Sequence, residues 1–202
     1  MSKLASRRRF FAGGVGATLA LLVPGSLRAR VGGRGSAPVP ASGADQEPAP
    51  EARLRALGLQ LPPPPTAVAT YVPAVRVGNL LFVAGHTPRQ PDGSSGRPGK
   101  VGQDYTVEEA AQQARLVGLD VLATMRNTLG SLDRVVRLVR TFGMVNATPD
   151  FTQQSRVING FSDLMVQIFG ETAGKGARAS VGMSSLPLGV PVEVESIWEV
   201  RV

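Results

Sequence analysis

From residue 71 to its end the chain alternates between two hydrophobic periods, and this alternation constrains its fold more than any other feature. Ala110, Ala114, Val117, Val121, Met125 and Leu129 recur every three or four residues, an apolar stripe of helical period. Thr106-Val107-Glu108-Glu109 opens that stripe as a capping box and Gly130 closes it. Val157, Phe161, Leu164 and Ile168 form a second stripe, entered through Thr148-Pro149 and ended by Gly170. Between and around the stripes lie runs of strand character at 71–77, 80–84, 135–145, 178–184 and 192–200. Gly78-Asn79 between the first two predicts a tight hairpin. The run at 135–145 is expected to turn Val136, Leu138, Phe142 and Met144 to one face. Hairpin, helix, strand, helix, strand, strand is the order of an α/β (α+β) layer, with two helices on one face of a mixed sheet. The second face is then left with Val, Ala and Met and no helix to cover it, which predicts an oligomer.

The first 66 residues read differently. Ser6-Arg7-Arg8-Arg9-Phe10-Phe11 matches the twin-arginine export pattern, and a moderately apolar, glycine-studded run follows at 11–24. That run falls short of the about 20 apolar residues a membrane span needs. Residues 1–30 are therefore expected to be an export leader, which places the protein in the periplasm or outside the cell and limits membrane contact to passage. Residues 31–66, rich in Gly, Ala and Pro and ending in Pro62-Pro63-Pro64-Pro65, are expected to be a linker with a short helix near 51–57. The domain is expected to span 67–202.

Charge and composition exclude several classes of function. The net charge of +7 is concentrated in residues 1–30, where Lys3, Arg7, Arg8, Arg9, Arg28 and Arg30 face no acid, so 7 − 6 leaves +1 for the remainder. A nearly neutral body lacks the phosphate-neutralising surface that nucleic-acid binding requires. The absence of cysteine excludes thiolate chemistry and disulfides, and a lone histidine, His86, excludes a multi-histidine metal site.

The candidates for chemistry lie near the C-terminus. Arg178 heads an apolar strand, and its planar fork suits a carboxylate; an ion pair that merely orients strands is an equal alternative. Glu193 and Glu195 alternate with Val192 and Val194, so both acids share the face opposite the apolar one, where a carboxylate can serve as general base. In a simple hairpin about Pro187, Arg178 and Glu193 would stand about five residues out of register, roughly 17 Å apart. Either the last two strands do not pair, or a site using both is assembled between subunits. His86 follows a strand directly and is either a site edge or a hydrogen-bonded structural histidine. Trp198, in step with Val194 and Val200, is expected in the core.

Tyr71-Val72 before the hairpin, Phe82-Val83-Ala84-Gly85-His86-Thr87-Pro88, Asn159 in the second helix, and Arg178 followed by Leu186-Pro187 and Val192-Glu193-Val194-Glu195 together resemble the Rid (YjgF/L-PSP) family of reactive-intermediate deaminases. The resemblance covers the last two-thirds of the chain. It implies a chorismate-mutase-like fold, a homotrimer with clefts between subunits, and a last strand that does not pair with the one before it. It also implies hydrolysis of 2-imino acids or their enamine tautomers to 2-keto acids and ammonia, without cofactor or metal. By position, Arg178 would clamp the substrate carboxylate and Glu193 would orient or activate water. Gly85 would present backbone groups to the imine, and Tyr71 and Asn159 would line the cleft. A non-catalytic trimer that binds small carboxylates is the alternative. Ala84 replaces a frequent hydroxyl residue, Ser180 a frequent cysteine and His86 a frequent glutamine, marking a divergent, exported member.

Overall fold

The computed structural model describes residues 48–66 and 69–202. The expected export leader and the first part of the expected linker lie outside them. Three helices, α1 (Pro50–Ala56), α2 (Val107–Leu129) and α3 (Gln154–Gly174), accompany five strands, β1 (Ala74–Val77), β2 (Leu80–His86), β3 (Val135–Asn146), β4 (Ala177–Met183) and β5 (Val192–Val200). The strands form one mixed sheet in the order β1-β2-β5-β3-β4, antiparallel throughout except for β3 with β4. β5 thus inserts between β2 and β3 and makes no pair with β4. The hairpin geometry that would separate Arg178 from Glu193 does not exist.

α2 and α3 pack against each other and cover one face of the sheet. Thr106 and Glu109 form the expected capping box, Glu109 N–H donating to Thr106 Oγ1 at 3.2 Å and Thr106 N–H to Glu109 Oε2 at 2.8 Å. At the crossing of the two helices a Cβ on Gly160 would overlap the Ala111 carbonyl, so only glycine permits this close approach. β5 supplies the covered face in strict alternation: Val192, Val194, Ser196, Trp198 and Val200 are buried. Trp198 is fully enclosed, its ring centroid 5.2 Å from that of Phe169 and its Nε1–H donating to Ser196 Oγ at 2.8 Å.

Three expectations need correction. β3 does not present Val136, Leu138, Phe142 and Met144 together. Register shifts at Val135/Arg137 and Leu138/Arg140 break its alternation, so Val135, Leu138, Thr141 and Val145 are buried while Val136 is exposed. A bulge adds a residue without a partner and exchanges the faces beyond it. Second, α3 begins at Gln154 rather than at Thr148-Pro149, because residues 148–153 form a turn tied by Phe151 N–H to Thr148 C=O and by Thr148 N–H to Val101 C=O. Its break at Gly170 (φ 82°, ψ 171°) is where the sequence places it.

Third, residues 50–66 are not a free tether. Leu54 of α1 is buried in the main core. Glu51 receives hydrogen bonds from Arg126 of α2 (Nε at 3.0 Å, and Nη2) and from Leu132 N–H at 3.0 Å, while its own N–H donates to Asp133 Oδ1 at 3.0 Å. Among the described residues, α1 is the first element packed against the body. Proline- and alanine-rich composition conceals this because a single buried leucine and one acid do the anchoring.

The uncovered face is mixed rather than uniformly apolar. Val75, Val77 and Phe82 make an exposed apolar patch over β1 and β2. Toward β3 and β5 the same face carries the pairs Arg140–Glu195 and Arg137–Glu199, each at 3.1 Å.

Candidate functional site

The five residues singled out in the sequence fall into two groups. Arg178 and Asn159 meet at the β4 edge. There Arg178 Nη1 donates to Asn159 Oδ1 and to Ser162 Oγ, both at 2.9 Å, and Nη2 reaches the Ser155 carbonyl at 3.4 Å. All three acceptors lie on α3, so the helix orients the guanidinium from one side. A concavity of about 300 Å³ adjoins it, lined by Thr141, Asn159, Ser162, Asp163 and Lys175 among others. Asn159 is thus a positioning partner of the arginine. Ser162, three residues on along the same face of α3, joins it without having stood out in the sequence.

Tyr71, Gly85 and Glu193 form the second group. β2 slips register against β5 between Val83 and His86, a bulge that lifts Gly85 out of the ladder. The Glu193 carboxylate lies directly against the Gly85 Cα: a Cβ there would overlap Glu193 Oε1. Any other residue at position 85 would expel the acid. Tyr71 and Gly85 line a cleft of about 310 Å³, together with Arg89, Asp120, Leu188 and residues of the proline-rich segment. Glu193 is half-buried and has no hydrogen-bond or ion-pair partner among the described residues. Burial, and secondarily the charge of Glu195, raise its pKa above the ordinary glutamate value. Glu195 itself is paired with Arg140.

One protomer does not bring the groups together. Arg178 stands opposite Thr141, and Glu193 opposite Met144, with β3 between their strands. Three residues along and two strands across amount to about 14 Å between backbones. The faces also differ: Arg178 shares its row with buried Thr141 and Ser196 under the helices, whereas Glu193 shares its row with Met144 and Val181 on the other side.

His86 resolves to a structural role. Its ring is buried, with Nδ1 2.7 Å from the Ala84 carbonyl and Nε2 2.7 Å from Thr124 Oγ1. A carbonyl only accepts, so Nδ1 carries the proton and Nε2 accepts from the threonine hydroxyl. Burial, aided by the charge of Arg89, holds its pKa below the usual histidine value and keeps it neutral. Its bonds fix the strand end that carries Gly85.

The sequence profile of a family described as "YjgF/chorismate mutase-like, putative endoribonuclease" matches residues 51–194. The chain belongs to the Rid/YjgF family. Protein TCP17 of Trypanosoma cruzi is 41% identical over 150 residues, covering 74% of this chain and 93% of its own. The structure of Atu1372 from Agrobacterium tumefaciens, described as of unknown function, superposes with a TM-score of 0.69 at 39% identity over 76% of this chain and 94% of its own. A putative endoribonuclease from Shewanella oneidensis MR-1 superposes with a TM-score of 0.72 at 33% identity, over 76% and 100%. The mixed five-stranded sheet with its helices is the chorismate-mutase-like fold of the Rid/YjgF family. The profile's match, from residue 51, includes α1, the first helix among the described residues.

Proposed function

We propose that the protein hydrolyses reactive 2-imino acids, or their enamine tautomers, to 2-keto acids and ammonia, in clefts that two copies of the chain build together in a homotrimer. The observation that carries this reading is Glu193: a half-buried carboxylate without a partner among the described residues, its pKa raised, held against a glycine that leaves its approach open. A general base gains efficiency as its pKa approaches the working pH. Glu193 takes a proton from water as the water oxygen bonds to the imine carbon, giving a carbinolamine. That proton passes to the nitrogen to complete the neutral carbinolamine. Glu193 then relays the carbinolamine hydroxyl proton to the nitrogen as the C–N bond breaks and the C=O bond forms, releasing ammonia and the keto acid. Arg178 of a neighbouring copy, held by Asn159 and Ser162, fixes the substrate carboxylate and so the face that water attacks. Tyr71 lines the cleft beside Gly85.

A ribonuclease reading, suggested by the names of some relatives, has less support, because residues 31–202 carry a net charge of only +1 from the +7 of the whole chain less +6 in the first 30 residues. A purely binding role is favoured by one feature: the arginine clamp is pre-ordered by α3 whether or not a base lies opposite it. The two separate in one assay. Ammonia release from low concentrations of 2-imino acids freshly generated by an amino-acid oxidase should be accelerated by the wild type and far less by Arg178→Ala, whose KM is raised. Stabilisation by 2-keto acids with no acceleration of ammonia release would establish binding alone.

A further inference from the structure

The cleft beside Gly85 contains an ion pair that the deamination chemistry does not use. Asp120 of α2 is 2% exposed, and its Oδ1 accepts from Arg89 Nη1 at 2.8 Å. Its Oδ2 has no hydrogen-bond partner among the described residues, and Asp120 is one of the side chains lining the cleft. Arg89 is anchored through Nε to the Gly93 carbonyl at 3.3 Å and through Nη1 to the Pro63 carbonyl at 3.2 Å. Its Nη2 lies against Gly93, also on the cleft wall, with no acceptor among the described residues. Burial has a cost for both charges, and an apolar pair of similar volume would fill this place at least as favourably. What the pair supplies instead is a fixed acceptor and a fixed donor side by side, in the same cleft as Gly85 and Tyr71.

We propose that Arg89 and Asp120 form a side-chain subsite that reads a terminal group able to donate and accept at once, a primary carboxamide being the simplest match. The amide nitrogen donates to Asp120 Oδ2 and the amide oxygen accepts from Arg89. A terminal carboxylate would satisfy the arginine but face the Asp120 charge. A branched alkyl group would leave Asp120 Oδ2 and Arg89 Nη2 without a partner, which sites built for hydrogen bonding reject strongly. This subsite rests on the reading of the cleft as the site of 2-imino acids.

Three 2-keto acids of one shape separate the cases: 2-oxosuccinamate, oxaloacetate and 4-methyl-2-oxopentanoate, ending in carboxamide, carboxylate and isopropyl. Titration calorimetry on the full chain should show 2-oxosuccinamate binding at least tenfold more tightly than either of the others. The double variant Arg89→Met/Asp120→Leu, an apolar replacement of the pair, should lose that preference and favour the isopropyl ligand. Equal affinities, a different order in the wild type, or a preference that survives in the double variant would overturn the subsite while leaving the carboxylate clamp intact. Failure of all three to bind would overturn the deaminase reading with it. Should the double variant not fold, the wild-type order alone decides.

Discussion

At the scale of single residues, the two halves of the site make separable contributions. In the proposed reaction Arg178 would grip a group that does not react, whereas Glu193 would act only while bonds are changing. Arg178→Ala is therefore expected to raise KM mainly. Glu193→Gln, which keeps the shape beside Gly85, is expected to lower kcat by about 10²–10⁴-fold with little change in 2-keto acid affinity. Steady-state kinetics beside calorimetry checks this; equal loss of both constants in both variants would deny the division. Asp120 gives a pH signature. Burial, which outweighs the nearby charge of Arg89, raises its pKa from 3.8 to about 6. Between those values the folded chain keeps a proton that the unfolded chain has released, so stability falls as pH rises through the window. His86 acts in the opposite sense, because the folded state keeps it neutral while the unfolded chain protonates it as pH drops. The comparison that isolates Asp120 is wild type against Asp120→Asn. The wild type should lose up to about 3 kcal/mol relative to the variant between pH 4 and pH 7 in urea unfolding, and a flat difference would contradict it. The sequence carries a signal for Asp120, an acid next to Val121 that interrupts the buried stripe of α2. Arg89 gives no such signal, being one loop arginine among many.

At the scale of elements, what can be read from the sequence is what local chemistry determines. The capping box, Gly130, the Gly78-Asn79 hairpin and the break at Gly170 each depend on neighbours a few residues away, and each stands where it is expected. The misses depend on distant partners. The bulges of β3 arise from its pairing with β5, some 60 residues later in the chain, and no period within β3 itself announces them. The late start of α3 depends on Thr148 bonding to Val101. α1 is easily undervalued because its anchor, Glu51, finds its partners at Arg126 and Leu132. Burial opposes ionisation of Glu51, but the hydrogen bonds from Arg126 and Leu132 and the charge of Arg126 prevail and lower its pKa. A lowered carboxylate contributes stability above its unfolded pKa that is lost as pH falls through the folded one. Leu54→Ala should cost about 2–5 kcal/mol in chemical denaturation, as for other buried leucines. A cost within about 0.5 kcal/mol would mean that α1 is a passive tail.

At the scale of the whole molecule, the proposed homotrimer is what would join the two halves of the site. One protomer holds an ordered arginine on its helix-covered side and an unpartnered carboxylate on the opposite side, about 14 Å away by backbone spacing. Neither half alone can hold a substrate carboxylate and activate water at the imine carbon. The exposed patch of Val75, Val77 and Phe82 and the open edge of β4 are surfaces that a second copy can cover. The sequence carries both halves in one C-terminal signature but not their separation, which follows from β5 inserting between β2 and β3. Subunit complementation tests this most directly. Arg178→Ala and Glu193→Gln chains are co-refolded in equal amounts and assayed for ammonia release at 2-imino acid concentrations well below KM, where each alone is expected to be nearly inactive. If each cleft takes its arginine from one copy and its glutamate from the next, random mixing restores about a quarter of the clefts, and about a quarter of wild-type activity returns. A mixture no more active than its two parents would contradict the shared site.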